Sequence, residues 1–205
     1  MKKTFYSLYI KRFIDFHLAL IALILLSPIL IFVALFQIIF NGFPIFFTQE
    51  RVGRGERIFK LIKFRTMNNK KDNKGHMLPD FKRKTLYGSF LRASSIDELP
   101  SLINILKGDM AVIGPRPLLV EYLPLYNENQ KKRHLVRPGL SGLAQIKGRN
   151  LISWKEKFEF DLIYLGKISF LFDLKIIFLT FLNVLLLKPV DSNNSITMEK
   201  FKGNL

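Results

Sequence analysis

Asp97 and Glu98 stand side by side in SSIDELPSLINILKGDM, residues 94–110, within a chain that carries 32 Lys and Arg against 16 Asp and Glu. Neighbouring carboxylates repel, so such a pair calls for compensation by cations, donors or water. Leu99, Leu102, Ile103 and Leu106 recur at helical spacing, and Lys107-Gly108 reads as a helix stop. Pro100 is tolerated only in the first turn, where backbone donors have no intrahelical partner. The acids therefore belong at the start of that helix. Two roles are open there. Asp is a favoured N-cap, and acids in a first turn suit the helix dipole. The same exposed amides favour phosphate. A carboxylate beside bound phosphate, with a divalent ion between them, is a recurring route to phosphoryl chemistry.

Groups able to hold an anion follow downstream. AVIGPRPLL, residues 111–119, reads as a short apolar strand running into Gly114-Pro115-Arg116-Pro117. Two prolines fix the backbone around Arg116 and aim its planar fork, which suits contact with an anion, the alternative being a rigid turn with an incidental Arg. HLVRPGLSGLAQIKGRN, residues 134–150, places glycines at 139, 142 and 148 among Arg137, Lys147 and Arg149. Those glycines suit either close approach to a ligand or plain turns. No phosphate-binding glycine loop of the common nucleotide folds occurs. His17, His76 and His134 are scattered without metal-ligand spacing and cysteine is absent, so zinc is not expected.

The rest of the chain must position these groups. At 205 residues there is room for one domain with a core. A net charge of +16 combined with 49% hydrophobic residues, twenty of them Phe, excludes a disordered basic tail and argues against a nucleic-acid module. It fits a protein that lies against an anionic membrane or handles anionic substrates. Residues 18–40 carry no charge over 23 positions, long enough to span a bilayer core of about 30 Å. Ser27-Pro28 predicts a kink, and both flanks are basic, which favours a broken helix that enters and leaves on one face. An ordinary kinked span is the alternative. Phe43 to Met67 reads as a β-hairpin turning at Gly53-Arg54-Gly55, with Lys63 and Arg65 projecting from its second strand, where a solvated face is the simpler reading. Residues 68–80 read as a loop. Residues 153–167 mix aromatics and charge as an interfacial helix does, with Asp161 on its polar side readable as surface charge or as a further site acid. ISFLFDLKIIFLTFLNVLLL is broken by Asp173 and Lys175 and fits an interfacial or a buried helix. The expected organisation is a membrane helix at 1–40, a catalytic domain at 41–188 and a loosely held polar tail at 189–205.

Taken together, FTQ at 47–49, KFRTM at 63–67, SSIDELPSL, LKGDM, GPRPLLVEYLPLY, RPGLSGLAQIKGRN and SWKEKFEFD resemble the small monotopic phosphoglycosyl transferases of the bacterial sugar transferase family. The resemblance covers nearly the whole chain and is close to the short form that starts glycan assembly, as in bacterial protein N-glycosylation. It implies an α+β catalytic domain on the cytoplasmic face of the bacterial inner membrane, held by a re-entrant helix. It implies Asp97 as nucleophile, Glu98 as a ligand of Mg²⁺, and Lys63, Arg92, Arg116 and Asp161 as further site residues. The reaction implied moves a phosphosugar from a UDP-sugar to a polyprenyl phosphate through a covalent aspartyl intermediate and releases UMP. Arg65 departs from the family's Lys while keeping the charge. A glycosyltransferase that releases UDP, and a non-catalytic membrane adaptor, are the competing readings.

Overall fold

A computed structural model describes residues 4–148, 151–186 and 200–203. After one wide helical turn at Tyr6–Ile10, the apolar segment forms α1, Lys11–Asn41. At about 1.5 Å per residue it is roughly 46 Å long. Pro28 lies inside it without ending it, and Ser27 Oγ donates to the Ile24 carbonyl at 2.8 Å. The chain is thus helical on both sides of the expected kink. Its inner stripe includes the buried Asp15, Ala19, Val33 and Gln37. The half before Pro28 packs on Leu61, Leu102 and Ile105, and the half after it on Phe64 and Leu91. Both ends of α1 are tied to the folded domain. Arg12 donates to the carbonyls of Ile105 and Leu106, the latter at 2.9 Å. Lys11 reaches Asp173 at 2.7 Å. At the other end Arg65 donates to the carbonyls of Asn41, Gly42 and Phe43, where a cation suits the exposed acceptors of a helix C-terminus.

The hairpin expected at 43–67 is present: β1, Phe46–Val52, pairs antiparallel with β2, Ile58–Phe64, in the register Phe46↔Phe64 to Val52↔Ile58. Gly55, at φ 63°, supplies the turn. An isolated hairpin is marginally stable, and the outer edge of β2 exposes unpaired backbone groups. The helix after the acid pair satisfies them. Asn104 Oδ1 accepts from the Ile62 amide at 3.1 Å, its Nδ2 donates to the Lys60 carbonyl at 2.8 Å, and Ser101 Oγ donates to the Ile62 carbonyl at 2.7 Å. Between β2 and that helix lie a short helix α2, Asp80–Arg83, and α3, Leu86–Ala93, capped by Thr85. A Cβ on Gly88 would sit 1.9 Å from the Thr66 carbonyl, so glycine is what lets α3 close on the end of the hairpin. A 3-10 turn, Ile96–Ser101, then runs into α4, Leu102–Lys107, which stops at Gly108 in the left-handed region as expected.

A short parallel pair completes the core: β3, Ala111–Ile113, with β4, Gly139–Ser141, across a crossover that holds α5, Glu128–Lys131. The glycines of this region permit close backbone approach. A Cβ on Gly139 would lie 2.1 Å from the Gly114 amide nitrogen, and one on Gly142 the same distance from the Gly114 carbonyl. They serve packing of the pair. Three helices follow: α6, Leu143–Lys147, α7, Trp154–Lys167, and α8, Phe170–Leu185. Asp173, which interrupts the last apolar run, is buried and accepts from Tyr6 and Tyr164 at 2.7 and 2.8 Å besides Lys11. Leu171 and Phe178 of α8, Leu86 and Phe90 of α3, and Leu25, Phe32 and Ile39 of α1 are exposed. Arg149 and most of the 189–205 tail lie outside the described residues. Phe201 is described and is buried, so this part of the tail is docked.

Replacing Asn104 by Ala should strip partners from two backbone groups of β2 at once. The expected loss is about 2–3 kcal/mol in equilibrium unfolding of the detergent-solubilised protein. An unchanged unfolding midpoint would mean that the edge of β2 is satisfied without it.

Candidate active site

The two acids leave the 3-10 turn into different surroundings. Ser95, at φ 58°, turns the chain between α3 and the 3-10 turn, a left-handed conformation that costs a non-glycine residue about 1 kcal/mol. Glu98 Oε1 takes Lys63 Nζ at 2.6 Å and Arg116 Nη2 at 2.9 Å. The two cations hold its carboxyl far below the usual range against the opposing effect of burial. Asp97 is 8% exposed, and no donor among the described residues reaches its carboxylate. It is not a cap, because the cap position of the 3-10 turn is Ser95, whose side chain makes no capping hydrogen bond. Burial, then the neighbouring Glu98 charge, push Asp97 up to about 6, while Lys63, Arg92 and Arg116 pull the other way. One acid is neutralised by partners. The other is largely buried and has no donor among the described residues.

Each cation has its own support. Lys63 comes from β2, the strand that Asn104 and Ser101 tie to α4. Arg92, in the last turn of α3, donates through Nε to Thr66 Oγ1 at 2.8 Å and adds its charge near Asp97. Arg116 sits in a segment whose prolines lack amide donors, so its carbonyls do the anchoring. Pro115 O accepts from the Gly139 amide at 2.9 Å, Arg116 O from Arg133 at 2.7 Å, Pro117 O from Arg51 at 3.3 Å and Leu118 O from the Val52 amide at 3.2 Å. Four consecutive carbonyls are held by four different residues. The Arg116 side chain remains 47% exposed, free to meet a ligand while touching Glu98.

Asp161 belongs to this support and does not join the acid pair. It is buried on α7, where Oδ2 accepts Nε and Nη2 of Arg133 at 3.0 and 2.9 Å. Arg65, expected beside Lys63, turns away to hold the end of α1, because β-strand neighbours two apart share a face only while the strand lasts, and β2 ends at Phe64. Two residues escaped sequence reasoning. Arg133 is one. Arg51 is the other: it lines the shallow cleft shared by Lys63, Glu98 and Arg116, and donates to Gln49 Oε1 at 2.6 Å. Its place opposite β2 follows from the hairpin register alone and could have been read from it.

Among the described residues no three His, Cys, Asp or Glu gather as a metal cluster. The oxygen donors of the pair nevertheless suit Mg²⁺. Glu98 Oε2 takes no partner among the described residues, and Mg²⁺ commonly uses one or two carboxylates with substrate phosphate and water.

A carboxylic acid whose folded value is raised favours the protonated form in the native state. The stability tied to that proton is complete below about pH 4 and is lost as pH rises through about 6. Asp97→Asn should therefore raise unfolding stability at pH 8, by on the order of 3 kcal/mol, with the gain vanishing below about pH 4. Urea unfolding at the two pH values checks this; a variant less stable at pH 8 would remove the buried-charge account.

Comparison with known proteins places the sequence among sugar transferases. The model of the family described as bacterial sugar transferase matches residues 6–187. The chain is 47% identical over 195 residues to the uncharacterized sugar transferase EpsL of Bacillus subtilis, covering 95% of this chain and 96% of that one. It is 43% identical over 190 residues to the galactosyl transferase CpsE of Streptococcus agalactiae, covering 86% of this chain and 42% of that protein. It is 39% identical over 181 residues to the UDP-glucose:undecaprenyl-phosphate glucose-1-phosphate transferase of Escherichia coli, covering 83% of this chain and 39% of that protein. The chain thus spans about two-fifths of the length of these last two relatives. With the match running from the start of the apolar helix to the end of α8, the chain belongs to the bacterial sugar transferase family.

Proposed function

We propose that this protein is a phosphoglycosyl transferase that moves a phosphosugar from a UDP-sugar to a polyprenyl phosphate through a covalent Asp97 intermediate. The observation that carries the reading is the division of the acid pair. A nucleophilic carboxylate needs an unengaged oxygen, and Asp97 has both of its oxygens free of donors. In the first step an Asp97 oxygen attacks the β-phosphorus, the bond from that phosphorus to the oxygen bridging it to the α-phosphate breaks, and UMP leaves with the electron pair. In the second, an oxygen of the polyprenyl phosphate attacks the same phosphorus and the aspartyl bond breaks. The carboxylate attacks as the anion, so no general base is required in the first step. Lys63, Arg92 and Arg116 oppose the repulsion between nucleophile and diphosphate. Mg²⁺, held by Glu98 Oε2, would supply further neutralisation of the diphosphate.

The name of the E. coli relative supports UDP-glucose as a donor to test, with undecaprenyl phosphate as acceptor. A membrane seat on one face is supported by α1, both halves of which pack on the same domain while its outer side stays apolar. Under this reading α1 enters and leaves from the cytoplasmic face of the inner membrane, bending at Ser27-Pro28. The chain has no cysteine, so single Lys2→Cys and Lys70→Cys variants report sidedness cleanly. An impermeant maleimide should label both in inside-out vesicles and neither in intact cells; labelling of the two from opposite sides would make α1 a span.

The central test is the nucleotide released from a panel of UDP-sugars with Mg²⁺ and undecaprenyl phosphate. Wild type should release UMP, at a rate that rises with pH as Asp97 ionises, the midpoint lying below its metal-free position when Mg²⁺ is present. Asp97→Asn should release none while remaining folded. UDP in place of UMP would establish transfer of the sugar alone and overturn the mechanism.

A further inference from the structure

Phe201 lies fourteen residues beyond the end of the family match at residue 187, yet it is 6% exposed. Its ring centroid lies 5.1 Å from that of Phe158, 5.5 Å from Trp154, 5.8 Å from Tyr126 and 5.9 Å from Tyr122. Lys200 beside it reaches Glu121 Oε1 at 3.1 Å. The cluster it closes carries Arg133, whose guanidinium lies 5.7 Å from the centroid of Phe158. Arg133 is itself buried. It spends Nε and Nη2 on Asp161, and Nη2 also on the carbonyl of Arg116. A buried charge pair of this kind is strong only while water is kept out, and the same dryness keeps water from competing for the Arg116 carbonyl. From Phe201 through Phe158 and Arg133 to Arg116, and from Arg116 to Glu98, every neighbour is in contact.

We infer that Lys200–Gly203 is a strap, and that Phe201 and Arg133 are positioning residues: Phe201 seals Arg133, and Arg133 holds the main chain of Arg116 so that its fork faces Glu98 and the donor diphosphate. The inference assigns Asp161 the task of neutralising Arg133. It rests on the proposed role of Arg116 toward the donor.

The test uses the full-length protein in nanodiscs, as wild type, Phe201→Ala, Phe201→Trp, Arg133→Lys and the double variant Phe201→Ala/Arg133→Lys. One readout does not depend on activity. The amides of Gly139 and Val52 donate to the carbonyls of Pro115 and Leu118, so their hydrogen exchange reports on the segment around Arg116. Phe201→Ala and Arg133→Lys should each speed that exchange several-fold, and Phe201→Trp should leave it near wild type. The second readout is UMP release against donor concentration. Phe201→Ala and Arg133→Lys should each raise the donor KM roughly tenfold with a smaller change in kcat, as misplacement of a substrate-holding group does, and Phe201→Trp should leave it near wild type. The double variant should be no worse than Arg133→Lys alone, because both act on one link. Unchanged exchange at Gly139 and Val52 in Phe201→Ala, with a lowered melting temperature, would reduce Phe201 to packing and overturn the inference. Multiplying effects in the double variant would also overturn it. Phe201→Leu, which keeps apolar bulk, gives the same comparison at smaller amplitude should Phe201→Ala fail to fold. If wild type releases no UMP from any donor, the proposed activity fails and the exchange measurement still decides the strap.

Discussion

The outer edge of β2 is the constraint around which this structure is arranged. A two-stranded sheet leaves a row of backbone groups unpaired on each outer edge, and buried groups of that kind must find partners. Here the partners are side chains, Asn104 and Ser101, projecting from the segment that also carries the acids. Satisfying the strand edge therefore sets the distance between Lys63 and Glu98. The Asn104 carbonyl goes on to accept the amides of Gly108, Asp109 and Met110, so the same residue shapes the turn into β3. A demand of backbone hydrogen bonding places the site.

Once placed, two chemically similar carboxylates acquire opposite properties. Glu98 lies between two cations and is held ionised, whereas Asp97 is buried without a donor. The cations that stabilise Glu98 also lie near enough to Asp97 to keep its ionised form accessible near neutral pH. The longer Glu side chain spans to the cleft while the shorter Asp stays against the protein. The stapled carbonyls at 115–118 give Arg116 the fixed main chain this arrangement needs. Prolines make that stapling necessary, since they cannot anchor a segment through amides.

The apolar helix answers to the same domain at both of its ends. Charged residues at its start and the carbonyls at its close are all engaged by protein groups. A helix that crossed a membrane away from its domain would share a boundary with it at one end only. The continuity of α1 through Pro28 is compatible with its composition, because a proline removes one hydrogen bond and the Ser27 hydroxyl takes up a neighbouring carbonyl.

Much of this was legible from residue order. The hairpin, the stop at Gly108, the helical 154–167 stretch and the acids at the start of a turn all rest on local periodicity and on proline and glycine chemistry, which act within a few residues. The double-proline frame around Arg116 is a local signal too, whereas Lys63 on its strand reads equally as a solvated face and enters the candidate site through the family resemblance. The partners of Asp161, the inward turn of Asp173, the use of Arg65 at the end of α1, the parallel pairing of β3 with β4 and the docking of Phe201 were not. Each depends on a contact between residues distant in the chain, from 22 positions for Arg65 and Phe43 to 167 for Tyr6 and Asp173, or on a strand ending one residue before the side chain in question. Residue type says that a buried charge must be paired; only the tertiary structure decides with what, because burial is a property of the assembled core and desolvation energy exists only once water has been excluded.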